Sequence, residues 1–323
     1  MAIPAPLQNR LSLPIIASPM FIVSTPELVI AECKAGIVGS FPALNARPIE
    51  MLDVWLTRIE TELAAYQAAN PTAKVAPFAV NQICHKTNDR LHHDADICTE
   101  HKVPIIITSL QADPYVVERA HSYGGIVLHD ATNIRHAEKA LEHGVDGLIL
   151  VCAGAGGHAG TLSPLALVSE VRSFYDGPIL LSGAIANGAS ILAAQAMGAD
   201  MAYMGTRFIA TQEANAEPAY KQMLVDSVAE DIVYSSLFSG VPANYLKASI
   251  ARSGLNPDAL AAADKSTMNF GSGGNTDAKV WRDIWGAGHG TGSIKDIPSM
   301  ADCIAQLKRE YDAALAKLNH TRF

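Results

Sequence analysis

Residues 146–160 read DGLILVCAGAGGHAG, an apolar run that breaks into glycines and presents His158 near its end. The run is continuously hydrophobic rather than alternating, the pattern of a parallel strand covered on both faces. Working outward, seven more runs share this character. LPIIASPM (13–20), GIVGSFP (36–42), APFAVNQ (76–82), VPIIITS (103–109) and GGIVLHD (124–130) precede it, and GPILLSGA (177–184) and DMAYMGTRF (200–208) follow. Helical patterns fill the gaps at 26–35, 48–66, 88–101, 114–123, 133–144, 165–175 and 188–198, and several end in glycine. Eight strands with seven intervening helices is the count of a (β/α)8 TIM barrel, an α/β fold.

After Phe208 the pattern changes. Residues 212–265 read as helical, including AYKQMLVDSVAEDI and PANYLKASIARSG, and are followed by the Gly/Ser/Asn-rich loop KSTMNFGSGGNTDAK (265–279). The expected organisation is therefore a barrel over 1–211 and a helical elaboration over its mouth at 212–280. A C-terminal turn and long amphipathic helix at 281–323 then pack back on the barrel.

Composition narrows the function. The 323 residues are 49% hydrophobic and carry a net charge of −8 without a basic tract, which argues against nucleic acid as a partner. No run has the ~18 apolar residues of a spanning helix, and the N-terminus does not read as a signal peptide. Cys33, Cys84, Cys98, Cys152 and Cys303 are scattered and contain no CxxC, so neither disulfides nor a metal site are expected and a reducing cytoplasm fits.

In this fold the chemistry sits at the C-terminal ends of the strands, with phosphate commonly bound after the seventh and eighth. Here those strands run into Ser182-Gly183-Ala184 and Met204-Gly205-Thr206. Small residues there let backbone N–H groups approach a phosphate, although each glycine alone can equally serve a tight turn. The Gly154–Ala159 segment formally matches a dinucleotide fingerprint, but it lies mid-chain and the nearest acids, Glu170 and Asp176, come too early. A stretch lying flat against a planar ligand and delivering one imidazole, His158, accounts for it better. The bland alternative is an exposed loop histidine. His129, expected to point into the mouth, and His289, in the GAGHGTG turn, rank second. Met20 reads as pocket floor or core filler, and Asn81 as a buried polar contact or turn chemistry.

These residues together resemble the FMN-dependent nitronate monooxygenases, formerly 2-nitropropane dioxygenases. LPIIASPM is similar to that family's opening motif, GIVGSF to its second strand and FAVNQ to its Asn-bearing third. AGGHAG is similar to its catalytic-histidine motif, MGTRF to its phosphate motif and WGAGHGTG-x(4)-IPS to its C-terminal turn. The resemblance covers most of the chain. It implies FMN bound around Pro19, Met20, Val151, Gly156, Gly157, Gly183, Ala184, Tyr203, Met204, Gly205 and Thr206, with Asn81 near the isoalloxazine. It implies His158 as the base that removes a proton from the carbon beside a nitro group, then oxidation with O2 to a carbonyl compound and nitrite. Nitronates would need no such base.

Departures from the family pattern are Ala184 in place of a second glycine, His289 where many members carry Gln, Asp130 in place of a basic residue, and Gly154 in place of an acid. They fall around flavin and substrate. One alternative is an NAD(P)H-dependent flavin reductase of the same fold, acting on a quinone or an enoyl thioester. Another is a non-catalytic small-molecule-binding barrel. A phosphate-sugar aldolase ranks low because no Lys ends a strand. The long last helix offers a face for a homodimer.

Overall fold

The computed structural model describes residues 3–260 and 283–320. Eight parallel strands form one sheet: β1 (Ile15–Ala17), β2 (Gly39–Pro42), β3 (Phe78–Ile83), β4 (Ile105–Ser109), β5 (Ile126–Ala131), β6 (Gly147–Val151), β8 (Ile179–Ser182) and β9 (Met201–Met204). Their order is β1-β9-β8-β6-β5-β4-β3-β2. A parallel bridge between Ile16 and Val38 joins the two ends, with Ala17 N–H donating to the Val38 carbonyl at 2.8 Å. The sheet is thereby a (β/α)8 barrel. All eight expected strands are present, and so are the seven intervening helices, α1 (Pro26–Lys34), α2 (Met51–Ala69), α3 (Leu91–Glu100), α4 (Pro114–His121), α5 (Ile134–Glu142), α6 (Pro164–Arg172) and α7 (Gly188–Ala196).

Strand parity divides the core into two layers. Ile16, Val38, Ala79, Ile105, Ile107, Leu128, Ile149, Leu180 and Met201 fill the barrel with Leu7. Their neighbours Val80, Ile106, Val127, Leu148, Leu150, Ile179 and Leu181 face the helices instead. Both faces are apolar, so the runs show no alternation.

Beyond α8 (Thr206–Ile209) the chain is helical at α9 (Pro218–Asp226) and α10 (Lys247–Arg252). Between these helices the expected helix is replaced by two strands, β10 (Ile232–Ser235) and β11 (Ala243–Leu246). They form a second, antiparallel sheet in the order β10-β11-β7, where β7 is Gly157–His158 itself. The β-branched and aromatic run Ile232-Val233-Tyr234 prefers this pleated surface to a helix. The 265–279 loop read from the sequence lies outside the described residues. The last helix, α11 (Met300–His320), packs along α7, where Glu310 accepts the Gly188 N–H at 2.8 Å and Tyr311 Oη donates to Gln195 Oε1 at 2.5 Å. No described helix is long and apolar enough to cross a membrane.

Candidate functional site

The barrel interior changes character toward the C-terminal ends of its strands. Continuing the inward parity from the apolar layer brings Ser18, Ser40, Asn81, Ser109, Asp130, Val151, Ser182 and Tyr203 to the mouth. Asn81 is buried, and its amide donates to Ser109 Oγ at 2.8 Å and to the Ile107 carbonyl at 3.1 Å. Tyr203 is almost fully buried against Ser18; burial pushes its phenol far up, with the Asp130 charge acting in the same direction. Of these serines the sequence singles out Ser182 alone, in the turn after the seventh strand. Their signal is parity: each sits two residues beyond an apolar barrel-filling position or its inward neighbour.

The segment after β6 crosses this mouth as an arch braced from several directions. The Gly154 carbonyl accepts two backbone N–H groups, from His289 at 2.9 Å and Ala184 at 3.2 Å. The Asn244 amide donates to the Ala155 carbonyl at 2.7 Å. At Gly156 the 285–292 turn comes so close that a Cβ would lie 2.8 Å from Gly288 N and from Thr206 Oγ1, so no larger residue fits without displacement. Gly288 N–H in turn donates to Thr206 Oγ1 at 3.0 Å. The turns after β6, β8 and β9 and the C-terminal turn thus form one connected unit.

Gly183 adopts φ +141, with Ala153 O 2.8 Å from where a Cβ would go, and Ala184 follows at φ +55, a left-handed conformation uncommon for alanine. The N–H groups of Gly183, Gly205 and Thr206 donate to no group among the described residues. Beside them, Gly205 approaches Ser18 and the Met20 sulfur. Met20 itself is tied down: its N–H donates to Ser24 Oγ and its carbonyl accepts from the Asn45 amide, each at 3.0 Å. Pro19 precedes it on the same loop. Val151 and Tyr203 belong to the barrel-filling layer, whereas Met204 is buried on the opposite face of β9, towards the outer core.

His158 is half-buried, and it is not a loop residue. It pairs with Ala243 of β11, while Gly157 pairs with Asn244. The imidazole Nε2 lies 3.1 Å from Ser239 Oγ. Burial among protein atoms lowers its pKa to about 4, so the ring is neutral at pH 7. A two-residue strand has no detectable period, and Gly156-Gly157 signals a turn; only the three-dimensional pairing reveals it.

The second-rank candidates separate. Leu128 faces inward, so its neighbour His129 faces the helical layer, where Nδ1 meets Thr108 Oγ1 at 2.8 Å. The expectation that His129 points into the mouth is thereby corrected: parity places Asp130 there instead. Burial lowers the pKa of His129, with the Asp130 charge acting against it. His289 is exposed on the rim and engages the arch through its backbone.

The nitronate monooxygenase family model matches residues 7–310 of the chain. A nitronate monooxygenase from Paraburkholderia phytofirmans is 27% identical, with 94% of each chain covered. An octahydroindene-carboxyl-CoA dehydrogenase from Rhodococcus jostii is also 27% identical, over 80% of this chain and 70% of that one. Among solved structures, a nitroalkane oxidase from Streptomyces ansochromogenes superimposes with a TM-score of 0.75 at 23% identity, covering 97% of this chain and 100% of the other.

Proposed function

The chain belongs to the nitronate monooxygenase family, an oxidoreductase family, and from this premise we propose that it oxidises alkyl nitronates with O2, using FMN, to a carbonyl compound and nitrite. The observation that carries the reading is a neutral, half-buried imidazole, His158, held at the edge of a braced glycine arch over a polar barrel mouth. The residues fit FMN: backbone N–H groups at Gly183, Gly205 and Thr206, without a partner among the described residues, suit a phosphate. Pro19, Met20, Val151, Gly156, Gly157, Ala184 and Tyr203 would supply backbone and apolar contact around it, Met204 its backbone alone because its side chain faces the outer core, and Asn81 a polar group for the ring system. The redox chemistry, removal of an electron from the nitronate and its passage to O2, is what FMN supplies when bound.

The protein's own part is acid–base and positional. A nitroalkane must lose its α-proton first, and in this reading His158 accepts it. Burial keeps the ring unprotonated at neutral pH but disfavours the imidazolium that proton transfer creates. The nitronate anion formed beside it offsets part of that cost. A substrate arriving as the nitronate avoids the step, so nitronates are the better substrates and nitroalkanes slower ones. Incubation with a primary nitronate in air, with nitrite and aldehyde measured, tests this; no nitrite above the uncatalysed rate sinks it.

A second reading draws on the octahydroindene-carboxyl-CoA dehydrogenase relative: a flavin reductase taking hydride from NAD(P)H and acting on an enoyl thioester or quinone. The same neutral histidine would then serve as a proton donor or orienting group near the acceptor.

A further inference from the structure

We propose that Ser239 is a positioning residue that fixes the tautomer of His158, holding the proton on Nε2 and leaving Nδ1 as the proton-accepting atom. The argument is a count of hydrogens. Among the described residues Ser239 Oγ has three polar neighbours: the Val241 carbonyl at 2.9 Å, His158 Nε2 at 3.1 Å and Tyr245 Oη at 3.4 Å. A serine hydroxyl carries one hydrogen and two lone pairs. The Val241 carbonyl can only accept, and it is the shortest contact, so the hydroxyl hydrogen goes there. The oxygen is then left to accept, and both other neighbours must donate to it.

Tyr245 is equipped for that. It is fully buried, and burial pushes its phenol up to about 12, so it keeps its hydrogen across the neutral range. Phe238 packs edge-on against its ring at 5.0 Å. His158 must likewise present an N–H from Nε2, and a neutral imidazole has only one. The lone pair therefore resides on Nδ1.

The geometry is held by the hairpin. Gly240 N–H donates to the Ser236 carbonyl at 3.0 Å, closing the turn that points the Val241 carbonyl back at Ser239. Ala159 N–H donates to Pro242 O at 3.2 Å, and the β7–β11 pairing fixes the backbone of His158 against the same strand. When Nδ1 takes a proton, the Nε2–H···Oγ hydrogen bond becomes charge-assisted and strengthens. Ser239 thus favours the protonated product of the step through its hydrogen bond to His158.

The tautomer stands independently of the reaction, whereas its consequence for rate rests on the base role proposed above. Histidine-selective 15N labelling reads the protonation of each ring nitrogen directly, with the His158 signal assigned by its loss in His158→Gln. The wild type is expected as Nε2–H. Ser239→Ala is expected to lose that preference and Ser239→Thr, which keeps the hydroxyl, to retain it. The nitroalkane kcat of Ser239→Ala should fall roughly tenfold relative to its nitronate kcat, the size of one hydrogen bond, and recover in Ser239→Thr. A wild-type Nδ1–H signal, or an unchanged spectrum in Ser239→Ala, overturns the inference. Full nitroalkane turnover by His158→Gln would instead remove the base role while the spectra still decide the tautomer.

Discussion

Ala243 lies directly opposite His158 in an antiparallel pair, so the position of the candidate base depends on a hairpin that follows the whole barrel in sequence. Barrel and hairpin together build the candidate site: the barrel supplies the polar mouth, and the hairpin orients His158 at its edge.

Replacing His158 by Ala should lower kcat for a nitroalkane by about 10²–10⁴-fold, the usual worth of a general base, while nitronate turnover changes far less. Steady-state nitrite release with both substrates measures the ratio. Equal losses on both would mean that the residue shapes the pocket and moves no proton.

Gly156→Ala should cost about 1–3 kcal/mol, because its Cβ would sit 2.8 Å from Gly288 N and Thr206 Oγ1 and the 285–292 turn must shift. The same shift would disturb the Thr206 end of the cradle. Thermal melting and the flavin-to-protein absorbance ratio should fall together; a variant with unchanged melting would show that the turn yields freely.

Glu32 is fully buried in α1, and neither carboxyl oxygen has a hydrogen bond of normal geometry among the described residues. Burial raises its pKa well above the ordinary value, against the Ser40 backbone N–H nearby. The folded state therefore holds this proton more tightly than the unfolded one. Stability is fully present below the unfolded carboxyl value and is lost as pH rises above it. Glu32→Gln should melt higher than wild type at pH 8, by about 1–3 kcal/mol, and the gain should vanish near pH 4. An equal gain at both pH values would mean that the carboxyl is not the titrating group.

Two histidines should bend the stability profile in opposite directions. His158, lowered to about 4, is buried neutral; its contribution is present above about 6.5 and is lost as pH falls through about 4. His101 is the reverse. Burial alone would lower its pKa, but Asp53 at 2.8 Å and Glu60 at 3.1 Å together raise it. Its contribution is present below about 6.5 and is lost as pH rises through the folded value. These partners are partly exposed, so His101→Gln should cost roughly 0.5–1 kcal/mol at pH 5.5 and nothing at pH 9. Denaturant melts at the two pH values test it.

The barrel was legible because runs such as GLILV and ILLS are buried on both faces and the helices between them keep their period. What escaped notice depends on pairing across the chain. His129 ends a strand, which points it to the mouth by sequence, yet Leu128 takes the inward position and turns it outward. The β10–β11 hairpin sits in a segment whose neighbours are helical, and Ser239 belongs to a serine-rich turn with no motif. The glycines at 154, 156 and 183 read as ligand-facing, but close contacts between chain segments also require Gly156 and Gly183 to be small. Sequence marks where small residues are needed more readily than which neighbour needs them.

Whether a nitronate is the electron donor is decided by anaerobic mixing of the FMN-loaded protein with an alkyl nitronate and, separately, with NADH and NADPH. The expected result is loss of the oxidised-flavin absorbance with the nitronate, followed by nitrite release when air is admitted. Bleaching by NADH or NADPH with no response to the nitronate would contradict the account and favour the reductase.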